Sequence, residues 1–450
     1  MRAPTWAALA AALPSAPTLD AADLTLCREK NGWCIYSAQM WLALEIKGLQ
    51  YDTRHVLASD APVLHFPDEH GAVYDGTSAL RELDGAYPDA SPLWPPQGIA
   101  SADVSAMASA FATTVPSSAA RESSRAAFLF RREEGFQYDP LPRETLVATL
   151  DATETLLEVH DNGPFFCGGA LSAADVLWAP LLERYAAQLP CLYAGLTPRG
   201  GDWPRLTRWY DAMDSVPAYA CRVKGDATSW RRVLSTSPWW PAGWPSRGDP
   251  DERGDPRGGQ LVLSEGEAER AYASRPVSQQ LWDEYAQGRP HVASTPAAEA
   301  AAALMRNAKA IVRDAEAHAA LPPDASAEDY DLALRAIAGL LLTEPLSAAT
   351  AASGRTAQGE EQSACREERL TLTGSAELSR VHGVAEVASY LVDRICVPRD
   401  VGAPVADAIR RLSLTLGRDA AVSPLAAPSA TDDGSAVEQA GTRGAPRAFF

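Results

Sequence analysis

The chain has 450 residues, 46% of them hydrophobic and 22% charged, and it is long enough to form two or three domains. Its formal net charge of −18 argues against binding to nucleic acid or to anionic membranes, because both depend on clustered Lys and Arg. No run of about eighteen apolar residues predicts a transmembrane helix. We therefore expect neither nucleic acid nor a membrane as a partner.

The seven cysteines are scattered through the chain, an odd number without CxxC or zinc-finger spacing. This pattern predicts neither a disulfide scaffold nor a structural zinc site. The seven histidines show no HExxH spacing, so we expect no metal. A reducing, cytoplasmic location fits best, and import into an organelle stays open.

The first twenty residues, 1–20, predict a separate N-terminal helix. Trp6, Leu9 and Leu13 have the spacing of an amphipathic helix. We expect this helix to lie on the first domain rather than to be a cleaved targeting segment, because its apolar run is short for a signal peptide.

The stretch Leu24–Tyr51 predicts a strand, a loop and a helix. Leu24 and Leu26 alternate as in a strand, and later apolar residues follow helical spacing until Gly48 ends the helix. Cys34 would lie at the first helical turn, where unpaired N–H groups and the helix dipole favour a thiolate. We therefore expect a lowered pKa and a nucleophilic sulfur at Cys34. The alternative is a buried cysteine that only packs.

Further strands are predicted at 52–57, 61–66 and 72–74, the last two paired as a hairpin, and a helix follows at 78–86. The element order over residues 21–90 is then β-α-β-β-β-α. This order is that of a thioredoxin-like α/β domain.

This domain resembles the N-terminal domain of the cytosolic glutathione transferases. The cysteine-type classes (omega, lambda and dehydroascorbate reductase) and a related plant and algal group are the most similar. Cys34 stands where that family has its cysteine, serine or tyrosine. The run Ala61-Pro62-Val63-Leu64 is similar to the family's VPVL segment, whose proline is cis and lies beside the thiol.

The resemblance implies that glutathione is the co-substrate, bound at two places in this domain. Its cysteine would pair with exposed backbone in the manner of strand addition, and its glutamyl end would lie at the start of the last helix. The first place is formed by Ala61, Pro62 and Val63, and the second by Asp75, Gly76 and Thr77.

Two positions depart from the family pattern. Ile35 stands where the cysteine-type enzymes usually have proline, and Gly76 stands where the family has serine. Cys34 is followed by Ile35-Tyr36-Ser37, so no second thiol is next to it. The resemblance therefore implies single-cysteine chemistry through a mixed disulfide with glutathione.

A proline-rich linker at 91–99 leads into a region, 100–234, that is helical in pattern with no β-rich interludes. Ser172 and Asp175 have capping-box spacing at the start of a helix, so we expect Asp175 to be structural. The core helix of the all-helical glutathione transferase C-terminal domain opens with a similar box. Trp203–Met213 resembles a later helix of that domain.

Aromatic residues of the helical region allow two interpretations. Phe128, Trp178 and Tyr185 are candidates for a hydrophobic co-substrate pocket. They are also typical helix-bundle core residues.

Residues 235–260 are rich in Pro, Gly and Trp and predict a second linker. A helical extension is expected at 261–416 and a disordered tail at 417–450. Cys396 lies beside arginines, but a core position at a helix end is favoured over a reactive thiol.

Two functions from different classes follow. The first is a glutathione-dependent thiol transferase with Cys34 as nucleophile, acting on a small electrophile or disulfide co-substrate; the family resemblance also allows a homodimer. The second is a glutathione-transferase-like binding or scaffold protein that has lost catalysis.

Overall fold

A computed structural model of the chain describes ten segments. They are residues 3–15, 24–57, 61–66, 76–94, 99–116, 129–132, 138–160, 162–236, 261–343 and 381–422. The elements in chain order are α1 (Trp6–Ala11), β1 (Leu24–Glu29), α2 (Ile35–Lys47), β2 (Tyr51–Val56), β3 (Val63–His65), α3 (Gly76–Ala86), α4 (Ile99–Thr114), β4 (Phe130–Arg132), β5 (Tyr138–Pro140), α5 (Arg143–Glu158), α6 (Ala173–Leu192), α7 (Pro204–Met213), a π-helical turn (Tyr219–Val223), α8 (Ala227–Thr236), α9 (Glu265–Tyr272), α10 (Gln279–Ala286), α11 (Pro296–Ala317), α12 (Ala327–Thr343), α13 (Val384–Arg394) and α14 (Ala403–Val422).

The described residues form two compact units. The larger unit lies within Ala16–Arg289 and also includes a short segment from far along the chain, Cys396–Ala403, which we call the return segment. The smaller unit is formed by the described residues within Met1–Ser15, Pro290–Ile395 and Pro404–Phe450. The predicted extension from residue 261 therefore does not coincide with a unit, because α9 and α10 belong to the larger one.

A three-stranded mixed sheet opens the larger unit. β1 is central, pairing in parallel with β2 and antiparallel with β3. Leu24 and Leu26 are buried, as their alternation indicates for a central strand. These strands confirm three of the predicted four, while the fourth, at 72–74, lies outside the described residues.

Helix α6 is the centre of the helical domain that follows. Every residue from Ala173 to Leu192 is buried, as expected for a helix that is apolar on nearly all sides, and α2, α4, α8 and α9 pack around it. The fold class is therefore the predicted one: a small α/β domain, a mainly helical domain and additional helices.

The capping box at the start of α6 is present as predicted. The Asp175 carboxylate accepts hydrogen bonds from the backbone N–H and the hydroxyl of Ser172, at 2.9 and 3.0 Å. Its other oxygen accepts from the Phe166 N–H at 3.0 Å and from Trp209 Nε1 at 2.9 Å. Asp175 is thus a fully buried structural hub that joins two helices to the loop before α6.

The described part of the helical region contains an antiparallel pair of short strands that the sequence pattern did not predict. β4 pairs antiparallel with β5, with Phe130 opposite Pro140. Pro140 and Pro142 cannot continue a helix, and α5 begins only at Arg143. A strand of three residues is stabilised mainly by pairing with its partner strand and is too short to show a clear alternation of apolar residues. A prediction from apolar spacing therefore assigned this stretch to helix.

The smaller unit is helical, and it contains the N-terminal helix. α1 packs against α11 and α12, and Trp6 Nε1 donates to Asp331 at 2.8 Å. The described helix of the predicted stretch 1–20, α1, therefore belongs to the smaller unit and not, as expected, to the unit that contains the first domain. α14 runs to Val422, so the tail predicted from residue 417 begins with helix.

No helix in the described part of the chain is both long and apolar enough to span a membrane.

Candidate functional site

Cys34 is the N-cap residue of α2, the position that the sequence predicts. Its backbone is extended, and its Sγ accepts a hydrogen bond from the backbone N–H of Ser37 at 3.5 Å. The side chain is 3% exposed. The thiol therefore lies at a helix N-terminus but almost out of contact with water.

The turn before Cys34 is held by the buried carboxylate of Glu29 at the end of β1. Its oxygens accept from the backbone and side-chain N–H groups of Asn31 at 2.8 and 2.6 Å, and from the Trp33 N–H at 2.9 Å. Ser37 Oγ in turn accepts from the Glu29 N–H at 3.3 Å. These bonds fix the position of Cys34 relative to β1.

A pocket opens beside the thiol, and we call it the Cys34 pocket. Its walls come from β1, α2, α6, the π-helical turn, α8 and the return segment. The lining residues are Arg28, Glu29, Gly32, Cys34, Ser37, Ala38, Trp41, Pro180, Glu183, Arg184, Tyr219, Val223, Trp230 and Pro398.

The return segment closes one side of this pocket. Its backbone accepts hydrogen bonds from Arg28 at Arg399 O (3.1 Å) and from Arg222 at Pro398 O (3.3 Å). The Val397 N–H donates to Ser229 Oγ at 2.9 Å. Arg399 itself is 1% exposed, with its guanidinium paired with the neighbouring Asp400 at 2.7 Å. A segment more than 360 residues away in sequence thus packs beside Cys34.

Burial raises the pKa of the Cys34 thiol above its ordinary value. The hydrogen bond from Ser37 and the positive charge of Arg184 act in the opposite direction but are smaller effects. The lowered pKa expected from the helix N-terminus is therefore wrong, because removal of water disfavours the thiolate more than the local dipoles favour it. Cys396 is likewise buried, with a pKa raised to about 12, in agreement with its predicted core role.

The candidate glutathione residues of the sheet do not line the Cys34 pocket. The Ala61–Pro62 peptide bond is cis, as the resemblance implies. Ala61 and Pro62 are half-buried and Val63 is buried. Their role in binding stays a prediction.

The second candidate place lies at the start of α3. Gly76 and Thr77 are the first two residues of that helix and are half-buried, while Asp75 lies outside the described residues. A Cβ on Gly76 would lie 3.2 Å from Gln39 Oε1, which leaves little space for the serine side chain of the family. The buried amide of Gln39 therefore occupies the space that a larger side chain at position 76 would need.

Two of the three aromatic residues predicted as candidates for a co-substrate pocket lie in the core. Trp178 is fully buried, stacked on Phe166 with ring centroids 5.0 Å apart, and its Nε1 donates to the Met107 carbonyl at 3.3 Å. Tyr185 is also fully buried, and burial raises its pKa. Both are core residues, the alternative that their periodicity allowed. Phe128 lies outside the described residues.

Several residues of the Cys34 pocket were missed by the sequence analysis. Arg184 stacks on Trp230, its guanidinium carbon 4.4 Å from the ring centroid, and Arg28 lies 4.3 Å from the ring of Trp41. No short motif links these positions, since α6, α8 and β1 meet only in the folded chain. Arg28 and Trp41 do lie within a few residues of Cys34 in sequence, and this proximity was an available signal.

Within the described segments, no three His, Cys, Asp or Glu side chains are grouped so as to hold a metal ion.

Replacing Gly32 by Ala is expected to loosen the return segment. The new Cβ would lie 2.9 Å from Arg399 Cβ, and the backbone φ of +73° costs a non-glycine residue about 1–2 kcal/mol. We expect Cys34 to be alkylated several-fold faster by iodoacetamide at fixed pH, measured by mass spectrometry. Gly200→Ala is the matched control, because Gly200 has the same φ of +73° and no atom within 4 Å of its Cβ position. Equal rates in both variants would show that the return segment does not limit access.

The helical domain matches a known family model. Residues 138–212, from β5 to α7, match the model described as "Glutathione S-transferase, C-terminal domain". This region contains the capping box and the core helix α6. No curated protein matches the chain.

Solved structures with partial similarity include glutathione transferases and a maleylacetoacetate isomerase. Glutathione transferase Omega 3C from Trametes versicolor is 19% identical, with 47% of this chain and 87% of that chain covered and a TM-score of 0.33. Maleylacetoacetate isomerase from Anaeromyxobacter dehalogenans is 21% identical, with coverages of 51% and 96% and a TM-score of 0.33. A glutathione transferase homologue from Drosophila mojavensis with bound glutathione is 17% identical, with coverages of 47% and 94% and a TM-score of 0.37. Similarities of this size do not assign a substrate.

Proposed function

We propose that this protein is a transferase of the glutathione transferase type, in which Cys34 exchanges thiols with glutathione. The observation that carries the proposal is the position of Cys34, as the N-cap of α2 and in the wall of a pocket. The family match of the helical domain supports it. A small electrophile or disulfide is the co-substrate class, and a homodimer and a cytoplasmic location remain part of the proposal.

The reaction needs one cysteine and two molecules of glutathione. The Cys34 thiolate attacks the glutathione sulfur of a mixed disulfide, the S–S bond breaks, and the leaving thiolate takes up a proton. Cys34 is then joined to glutathione. A second glutathione thiolate attacks that bond, releasing oxidised glutathione and restoring the Cys34 thiolate.

The residues around Cys34 act on this step in opposite directions. The Ser37 N–H and the Arg184 guanidinium stabilise the thiolate, as nucleophilic cysteines require. Burial disfavours it. Access of water or of substrate to the Cys34 pocket would reduce this second effect, so Arg184 and Ser37 are expected to act fully only when the pocket is open or occupied.

Cys34→Ser is expected to lower the rate of thiol transfer by at least about 100-fold, since a hydroxyl cannot form the mixed disulfide. The measurement is reduction of bis(2-hydroxyethyl) disulfide by glutathione with purified protein. Cys167→Ser is the matched control, because Cys167 is half-buried in the same unit and lies outside the pocket. A Cys34→Ser variant that keeps the wild-type rate would overturn the proposal.

A second function is favoured by one observation. Cys34 is 3% exposed with a raised pKa, and the return segment packs beside it, which is the arrangement of a structural cysteine. A binding or scaffold protein with this fold would show no thiol transfer in the wild-type chain. Such a result, together with an unchanged Cys34 alkylation rate in the presence of glutathione, would favour the scaffold.

A further inference from the structure

Two arginines lie against the same tryptophan at the edge of the Cys34 pocket. The guanidinium carbon of Arg28, on β1, is 4.3 Å from the ring centroid of Trp41. That of Arg222, on the π-helical turn, is 4.5 Å from the same ring. Arg28 is 5% exposed, while Arg222 is half-buried. Stacking on an indole positions both planar groups.

Neither arginine has a carboxylate partner in the part of the chain that the structure describes. Arg28 donates to the carbonyl of Arg399 and Arg222 to that of Pro398. Two acidic side chains of this region have other partners: Glu29, next to Arg28 in sequence, holds the turn before Cys34, and Asp400, whose charge acts on Arg28, pairs with Arg399. The buried Nε of Arg28 has no hydrogen-bond partner among the described residues.

A buried cation that lacks a counter-charge is costly. Burial and the positive charge of Arg222 lower the pKa of Arg28 to about 10. The effect reaches the neighbouring strand, where His55 is the β2 partner of Arg28. The pKa of His55 is lowered to about 4, first by partial desolvation, although the side chain keeps contact with water, and then by the nearby arginines. A bound anion would offset much of the electrostatic cost of burying Arg28 next to Arg222.

We propose that Arg28 and Arg222 form a binding site for an oxyanion, the carboxylate group of a ligand. Each guanidinium has five N–H donors in a planar fork, and the backbone carbonyls of the return segment accept only one from each. Arg28 also lines the Cys34 pocket, so a ligand anchored there would extend towards the thiol. The site uses β1 and the π-helical turn and shares no residue with the candidate glutathione positions. It stands whether or not Cys34 transfers thiols.

Inorganic sulfate is the probe for this site. Its binding to the full-length protein is measured by isothermal titration calorimetry, with sodium chloride holding the ionic strength constant. We expect saturable binding that Arg28→Gln and Arg222→Gln each weaken about tenfold, through loss of charge-assisted hydrogen bonds. Arg54→Gln is the matched control, because Arg54 is an exposed arginine of β2, opposite Cys27 and one position from His55. The affinity of the Arg54→Gln protein for sulfate should equal that of the wild type.

Competition with reduced glutathione distinguishes the sources of the carboxylate. If glutathione displaces sulfate, the site takes a carboxylate of glutathione itself; if sulfate binds and glutathione does not compete, the site takes the carboxylate of another ligand. Both results support the oxyanion site, and the second separates it from the proposed reaction. If Arg28→Gln does not fold, Arg222→Gln decides, since Arg222 is half-buried. No saturable sulfate binding, or equal affinity in the folded arginine variants and the wild type, would overturn the proposal.

Discussion

Alkylation of Cys34 is expected to accelerate about tenfold per pH unit through pH 8 and pH 9 without reaching a plateau, because the thiolate fraction still increases in that range. Burial raises the pKa of this thiol, whereas a model thiol has a pKa of about 8.5 and approaches its plateau near pH 9. The rate is measured with iodoacetamide and mass spectrometry of the peptide that contains Cys34. Cys34→Ser identifies the contribution of the other thiols. A plateau below pH 8 would mean that Ser37 and Arg184 stabilise the thiolate more than burial disfavours it.

The same shift links stability to pH. A thiol with a raised pKa in the folded state keeps its proton at a pH where the unfolded chain has lost it. The free energy of unfolding therefore falls as pH rises above the pKa of the unfolded thiol, about 8.5. Cys34→Ser should make this fall shallower between pH 8 and pH 10, as measured by urea unfolding. An unchanged slope would contradict the buried, protonated state of Cys34.

Asp175→Asn is expected to lower the free energy of unfolding by about 3 kcal/mol, because hydrogen bonds to a buried charged group contribute strongly. Four donors, from Phe166, Ser172 and Trp209, converge on its two oxygens, and an amide cannot accept all of them. Urea unfolding followed by tryptophan fluorescence measures the loss. Burial disfavours the charged form of Asp175 and raises its pKa, so Asn also removes an unfavourable buried charge. The expected loss is the net of these two effects.

Asp151→Asn is the matched control for this change. Asp151 also accepts a hydrogen bond from an indole N–H, that of Trp203 at 2.8 Å, but its side chain is exposed, whereas that of Asp175 is buried. The expected loss is about 0.5–1.5 kcal/mol. Equal losses in the two variants would contradict the role of Asp175 as a hub.

The parts of the fold that could be predicted are those set by local spacing. The Ser172–Asp175 box, the strand at Leu24 and Leu26, and the position of Cys34 before α2 follow from patterns within a few residues. Capping and alternation act through neighbouring backbone groups, so a short window contains the information.

The state of the thiol could not be predicted in this way. A helix N-terminus alone favours a thiolate at Cys34, but the pocket walls that remove water come from α6, α8 and the return segment. Pro398 and Trp230 are far from Cys34 in sequence, and no spacing rule brings them together. The electrostatic environment of a buried group depends on all its neighbours, and local reasoning supplies only the adjacent ones.

The same limit explains the missed arginines. Arg28 and Trp41 flank Cys34 in sequence, but Arg222 joins them only through the packing of the π-helical turn on α2. For α1, in the smaller unit, the helix itself could be predicted but its packing partners could not. Its amphipathic face was recognised, while its partners, α11 and α12, are some 300 residues away along the chain.

The return segment also determines when, during translation, the Cys34 pocket can be completed. Arg28 and its acceptor at Arg399 are 371 residues apart, so the ribosome must add almost the whole span before this contact can form. At ordinary elongation rates the interval is roughly 20 to 70 s. Once α6 has been made, the nascent larger unit can form its sheet and its central helix, but it lacks one wall around Cys34 until the return segment is added. The newly made thiol is therefore more open to oxidants and to chaperones than the thiol of the finished protein. A chain that stops before residue 396 would keep the nascent state permanently.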